Sequence, residues 1–262
     1  MVLAEEQVLA LGRRLDEAER ARRPVPKVTL DYPGMDMEDA YAVQRTIRAL
    51  KESRGVLVPG YKIGLTSTVK MRPLGVTEPL YGFLTDYGRI ADGGEVRLGE
   101  LIGPRVEMEL AFVTCRDLRG PDCDVETVLD ATAYVSPAME ILDSRYETSP
   151  FDVVAGVADN MSTARYVLGT SRLDPRAVDL ALLGAVLRFN DEVVATGAGA
   201  AVLGNPAASL AWLVSKLWEH DGYVPAGSVV LTGGFSDALP VAAGDRAIAQ
   251  FAGVGRASCR FV

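Results

Sequence analysis

The sequence predicts an α+β fold: a mixed, strongly curved β-sheet or β-roll core with an N-terminal helical appendage. Three observations predict it. Apolar side chains recur at helix-compatible intervals through the first fifty residues, as at Leu3, Val8, Leu11 and Leu15. From Val56 onward the texture changes to short β-rich segments punctuated by glycine and proline. No repeat of fixed period and no low-complexity linker divides that second part, so residues 1–55 read as the appendage and 56–262 as one larger domain.

Taken in order, residues 3–21 form the first helix, which Arg22-Arg23-Pro24-Val25-Pro26 breaks. Asp36 caps a second helix that runs through Ala40, Val43, Ile47 and Leu50 to a stop at Ser53-Arg54-Gly55. Gly60-Tyr61-Lys62-Ile63-Gly64 is a strand whose glycines let a ligand approach the backbone closely. On its own terms Lys62 is a snorkelling surface lysine, the commoner use of a lone lysine in a strand. The apolar segment 71–86 is a loop leading into a short strand, and a loop this apolar must pack as a lid or pocket wall.

Gly103 to Val113 is the stretch around which the rest is organised. In an extended strand alternate side chains share a face, so Glu107 and Glu109 point one way and Val106, Met108 and Leu110 the other. Two carboxylates this close repel, and burying them unpaired costs several kcal/mol. Either a hard divalent cation lies between them or the face is open to water.

Residues 125–131 form a short helix, and 133–146 return to extended texture with Glu140 set between large aliphatics. A third carboxylate favours the cation, since three oxygen ligands plus waters and a chelating substrate complete an octahedral shell. Residues 157–166 bring Asp159, Asn160, Ser162 and Thr163 together, either lining a polar pocket or making a turn and helix cap. A hairpin turns at Asn190-Asp191. Asn205 caps and Pro206 begins a helix to Glu219, and residues 228–235 and 246–261 are further strands.

Composition narrows the function. The chain has 262 residues, 48% of them hydrophobic, ample for a packed core. A net charge of −8 argues against nucleic acid as a partner. Apolar runs are too short to span a bilayer, and the acidic N-terminus has no apolar signal core, so the cytoplasm is the default compartment. Cys115, Cys123 and Cys259 lack C-x-x-C spacing and form neither a disulfide framework nor a zinc site. The single histidine, His220, ends a helix where the dipole and terminal carbonyls account for it. Chemistry needing several histidines is excluded.

Together, GYKIGLTS (60–67), MRPLGVTEPLYGFLTD (71–86), PRVEMELAFV (104–113), SPAMEILDSRY (136–146), ADNMS (158–162) and LTGG (231–234) resemble the hydratase/decarboxylase branch of the fumarylacetoacetate hydrolase superfamily, over nearly the whole chain and in order. The resemblance implies a fumarylacetoacetate hydrolase-like fold with 56–262 as its catalytic domain. It implies that Glu107, Glu109 and Glu140 hold Mg²⁺ or Mn²⁺, that Lys62 is catalytic, and that Leu65, Ser162, Thr232 and Gly233 bind substrate. Hydratases of this branch tend to carry an acid where this chain has Leu80 of Glu78-Pro79-Leu80-Tyr81-Gly82-Phe83, and decarboxylases this hydrophobic form.

The expected activity is therefore metal-dependent decarboxylation of a 2-oxo dicarboxylic acid, 2-oxo-3-hexenedioate, to 2-hydroxypenta-2,4-dienoate and CO₂ in the catechol meta-cleavage pathway, through a metal-stabilised dienolate. Hydration of 2-hydroxypenta-2,4-dienoate on the same metal site is the alternative, and a non-catalytic, partner-stabilising protein a second. Expected partners are the small-molecule acid, further copies of the chain as a homo-oligomer, and the pathway hydratase.

Overall fold

The computed structural model describes residues 2–147 and 151–262. Among them are thirteen strands in two sheets. The first contains β1 (Gly60–Gly64), β2 (Leu80–Leu84), β3 (Arg89–Ile90), β5 (Arg105–Thr114), β6 (Thr132–Leu142), β7 (Thr163–Leu168), β10 (Val229–Leu231) and β11 (Leu239–Pro240); the second contains β4 (Gly94–Val96), β8 (Gly184–Phe189), β9 (Glu192–Ala198), β12 (Arg246–Phe251) and β13 (Gly255–Phe261). The first runs β2-β1-β10-β5-β6-β7-β3 with β11 added to β5, and the second β4-β13-β12-β8-β9.

Pairing is mixed, as expected. β1 and β10, β3 and β7, and β4 and β13 are parallel, whereas the long central pair β5–β6 is antiparallel. Register shifts at Val113/Thr114 and Ile141/Leu142 interrupt the long strands of the first sheet, and one at Leu187/Arg188 interrupts the second. Each such irregularity increases twist and bends the strand that carries it. The apolar alternation of β5 explains its centrality, since Val106, Met108 and Leu110 are fully buried on the face opposite the carboxylates.

The first helix spans Glu5–Ala21 and begins later than expected, because Ala4 has extended backbone and serves as its N-cap. Asp36 caps helix Met37–Glu52 by accepting from Asp39 N–H. The two helices pack against one another, and Leu11, Leu15, Val43 and Ile47 join one continuous buried cluster with strand residues such as Ile63, Met108 and Ile141. Asp39 is buried and accepts from the backbone of Val2 and Leu3, which ties the N-terminal segment down. Short helical turns at Val28–Asp31 and Thr68–Met71 lie where the sequence predicts no helix; four residues carry too little periodicity to announce themselves. Helix Pro206–Trp218 is capped by Asn205, as the sequence predicts. His220 lies beyond its C-cap residue Glu219, exposed, and does not line the large cavity described below.

Candidate active site and metal centre

The register of β5 on β6 sets Glu107 directly opposite Glu140 and Glu109 opposite Ala138. Directly opposed residues share a face, so all three carboxylates project to one side of the sheet. One carboxylate oxygen from each lies within 4.8 Å of the others. Glu109 and Glu140 are completely buried and Glu107 is half-buried, so an exposed strand face is excluded.

Lys62 is not a surface lysine. It is 2% exposed, and its Nζ donates to Glu140 Oε2 at 2.9 Å. Between β1 and β6 lie β10 and β5, a separation of roughly 14 Å on a flat sheet at ordinary strand spacing. Two side chains can meet across that interval only on a strongly curved one. The contact also requires β10 to be short: it ends at Leu231, and the chain leaves through Thr232-Gly233-Gly234 beside the carboxylates.

Each residue of that exit has a defined use. Thr232 is buried and its hydroxyl donates to Leu110 O. Gly233 N–H donates to Glu109 Oε2 at 2.7 Å, and at φ +113° Gly233 occupies a conformation that favours glycine. A side chain at Gly234 would fall on the Glu107 carboxylate. Thr232 and Gly233 thus stand behind Glu109, and it is Gly234 that lines the cavity in front.

That cavity has a volume of about 860 Å³, and Lys62 and Glu107 form part of its lining. Leu65, at φ +53°, Met161 and Ser162 contribute to its wall. Lys70 and Arg105 also line it, Lys70 paired with Asp237 at 2.7 Å and Arg105 donating to Ala238 O. The sequence singled out neither of these cations, because exposed basic residues carry no periodic signal.

The electrostatics favour a cation. Burial, and then the neighbouring Glu140, push Glu107 up from 4.5 to about 7, with Lys62 opposing. Burial and the other two carboxylates hold Glu109 well above its ordinary range. For Lys62 burial works against the charge, but Glu140, Glu107 and Glu109 outweigh it and the ammonium is retained. Three carboxylates therefore face one ammonium. Among the described residues, Glu109 Oε1 and Glu140 Oε1 are buried side-chain oxygens with no hydrogen-bond partner. Buried, acceptor-only oxygens that converge without donors fit a hard divalent ion such as Mg²⁺ or Mn²⁺. Glu107, Glu109 and Glu140 would hold it.

No protein-family model matches the chain. Known proteins do. It is 47% identical over 260 residues to 4-oxalocrotonate decarboxylase of Pseudomonas sp. (strain CF600), covering 99% of this chain and 98% of the relative. It is 39% identical to 2-oxo-hept-4-ene-1,7-dioate hydratase of Escherichia coli, over 96% and 97% of the two chains. The structure of 4-oxalocrotonate decarboxylase from Pseudomonas putida G7, complexed with magnesium and adipate, superposes with a TM-score of 0.97 at 46% identity, covering 100% of this chain and 99% of that one. With identity of this order along essentially the whole length and the same fold throughout, the chain belongs to the 4-oxalocrotonate decarboxylase and 2-oxo-alkenoate hydratase family, the hydratase/decarboxylase branch of the fumarylacetoacetate hydrolase superfamily.

Proposed function

We infer that this protein is a metal-dependent carboxy-lyase that converts 2-oxo-3-hexenedioate (4-oxalocrotonate) to 2-hydroxypenta-2,4-dienoate and CO₂ in the meta-cleavage pathway. The observation that carries the reading is the convergence of Glu107, Glu109, Glu140 and the buried Lys62 at one cavity. The relatives' names supply the reaction.

Held by Glu107, Glu109 and Glu140, Mg²⁺ or Mn²⁺ would supply Lewis acidity toward the oxygens of a 2-oxo acid. The remaining work falls to the chain. As the C5–C6 bond breaks and CO₂ leaves, its electron pair becomes the C4=C5 bond, C3=C4 shifts to C2=C3, and negative charge develops on the C2 oxygen. Lys62, held as an ammonium in a water-poor environment, stabilises that charge without reorganising, which is where a fixed cation contributes most. The same ammonium can give the oxygen its proton. Leu65 and Met161 exclude water from the dienol; Ser162 offers a hydroxyl to the substrate, with Thr232 and Gly233 acting from behind Glu109.

Hydratases at 39% identity make water addition the second reading. Leu80 weighs against it. The pairing of Lys62 with Gly82 and of Gly64 with Leu80 puts Leu80 on the Lys62 side of the sheet, buried and apolar, so that position supplies no acid to handle water. The proposal includes a homo-oligomer in the cytoplasm and a complex with the pathway hydratase, because a free dienol ketonises in water and direct transfer would protect it. No helix among the described residues is long and apolar enough to cross a membrane.

The deciding assay supplies 2-oxo-3-hexenedioate and, separately, 2-hydroxypenta-2,4-dienoate, with Mg²⁺ or with EDTA, and follows CO₂ release and diene absorbance. Metal-dependent CO₂ from the first substrate is the expected outcome. Consumption of the second without CO₂ from the first would establish the hydratase instead.

A further inference from the structure

Between helix Val153–Ala158 and β7 the chain makes a turn in which three consecutive non-glycine residues are left-handed: Asn160 at φ +49°, Met161 at +50° and Ser162 at +58°. A side chain makes this conformation unfavourable at each position, least so for asparagine, and runs of it are rare. Such strain persists only where the surroundings over-determine it. Here they do, and the last two residues of the turn line the active-site cavity.

Three groups fix the turn. Asn160 acts as a surrogate strand partner: its Oδ1 accepts from Phe83 N–H at 2.8 Å and its Nδ2 donates to Phe83 O at 3.0 Å, satisfying both backbone groups of one residue of β2. Asp159, fully buried, accepts from Arg145 Nε at 2.5 Å through Oδ1, and through Oδ2 accepts from Arg145 N–H and, at 3.3 Å, from the Ser162 hydroxyl. Arg145, 2% exposed, also donates to the carbonyl oxygens of Asp143, Thr163 and Asp159, which binds the turn to β6 and β7.

Two glycines make room for it. A β-carbon at Gly82 would lie 2.8 Å from Asn160 O and 2.9 Å from Asn160 Oδ1, and one at Gly64 would lie 3.0 Å from Met161 Cε. Gly64 is two residues from Lys62 on the same strand. The turn is therefore seated directly on the strand pair that carries the catalytic lysine.

We propose that Asn160, Asp159 and Arg145 are positioning residues for the decarboxylation, holding a strained turn that sets Ser162 and Met161 against the substrate. In this arrangement Asn160 acts through Ser162, and its effect on turnover disappears when the Ser162 hydroxyl is absent. The inference rests on the decarboxylase reading, for which wild-type turnover is the control.

The test is a double-mutant cycle with Asn160→Gly and Ser162→Ala. Glycine tolerates the left-handed backbone while deleting the clamp, so a loss of activity cannot be ascribed to added strain. The expected result is a fall of about tenfold or more in kcat/KM for Asn160→Gly, mainly in kcat, with Mn²⁺ affinity within about threefold of wild type. In the Ser162→Ala background the same change should cost less than about threefold. Should Asn160→Gly fail to fold, Asn160→Asp, which keeps an acceptor for Phe83 N–H but replaces the donor to Phe83 O with a second, repelling acceptor, carries the same cycle. Wild-type-like kcat/KM in the folded Asn160 variant, or strictly additive losses, would overturn the inference while leaving the decarboxylase standing. A wild type that releases no CO₂ would overturn the reading beneath it.

Discussion

Lys62 Nζ lies 2.9 Å from Glu140 Oε2, with both side chains removed from solvent. One oxygen of Glu140 is thus committed to the lysine and the other, Oε1, is left without a donor. The pair keeps the ammonium beside the carboxylate cluster, with Glu107 and Glu109 also close enough to favour its charge.

Replacing Lys62 with methionine keeps the bulk of the stem and removes the charge. Decarboxylation should fall by about a hundredfold or more, the range associated with losing a preorganised charge stabiliser. Affinity for Mn²⁺ should not fall, because the change removes a cation from beside the metal position. Steady-state kcat together with a Mn²⁺ titration checks this; parallel loss of both would mean that Lys62 serves the metal centre rather than the reaction.

Glu107→Gln should weaken Mg²⁺ binding and abolish most CO₂ release with the fold retained, since Glu107 is half-buried and the variant removes a repelling charge from the apoprotein. Treatment of the wild type with EDTA should give the same inactive state, reversibly on addition of Mg²⁺. Titration calorimetry of both proteins, with CO₂ release after metal restoration, is the measurement. Full activity in EDTA would sink the metal-dependent mechanism.

Much of this site was legible in the sequence, and what was not has physical reasons. Glu107 and Glu109 stand out because two charges inside an apolar strand contradict its surroundings, and a third, Glu140, repeats the contradiction. Lys62 carries no such mark: a lysine in a strand is ordinary on a surface, and its burial depends on curvature that brings β1 toward β6. Arg145 and Asp159 are conventional loop residues until the fold buries them together. Asn160 reads as a turn former, and nothing local reveals that its amide pairs with Phe83, 77 residues away. Helix caps were legible at Asp36 and Asn205 because capping is a local interaction.

Gly233 and Gly234 should resist the smallest enlargement. Alanine at Gly233 would need φ +113° and would press its β-carbon onto Thr66, whereas alanine at Gly234 would displace the Glu107 carboxylate. Gly233→Ala should cost about 1–3 kcal/mol of stability from backbone strain and contact. Gly234→Ala should instead lower metal affinity more than stability. Thermal unfolding and a Mn²⁺ titration on both variants separate the two effects, and equal behaviour would refute the distinct roles assigned to them.

The metal-free protein should lose stability as pH rises through the neutral range, in the part that Glu107 controls. Its carboxyl ionises near 4.5 in the unfolded chain and near 7 in the folded one, where burial and Glu140 oppose the charge. Between those values the folded state holds the proton that the unfolded state has released, so raising the pH favours unfolding. This contribution is complete below about pH 4.5 and is lost as pH passes about 7. Groups such as Glu19, burial of which is outweighed by Arg145 and Lys51 so that it is held low, act in the opposite sense, so the comparison must isolate Glu107. The difference in unfolding free energy between wild type and Glu107→Gln, both in EDTA, should grow in favour of the variant by about 1–3 kcal/mol from pH 5 to pH 8. Saturating Mg²⁺ should reverse the sign, because the ion binds only the ionised cluster and the variant holds it poorly. A difference independent of pH, with and without metal, would show that Glu107 is ionised and compensated without any ion, and the case for a metal centre would lose its electrostatic support.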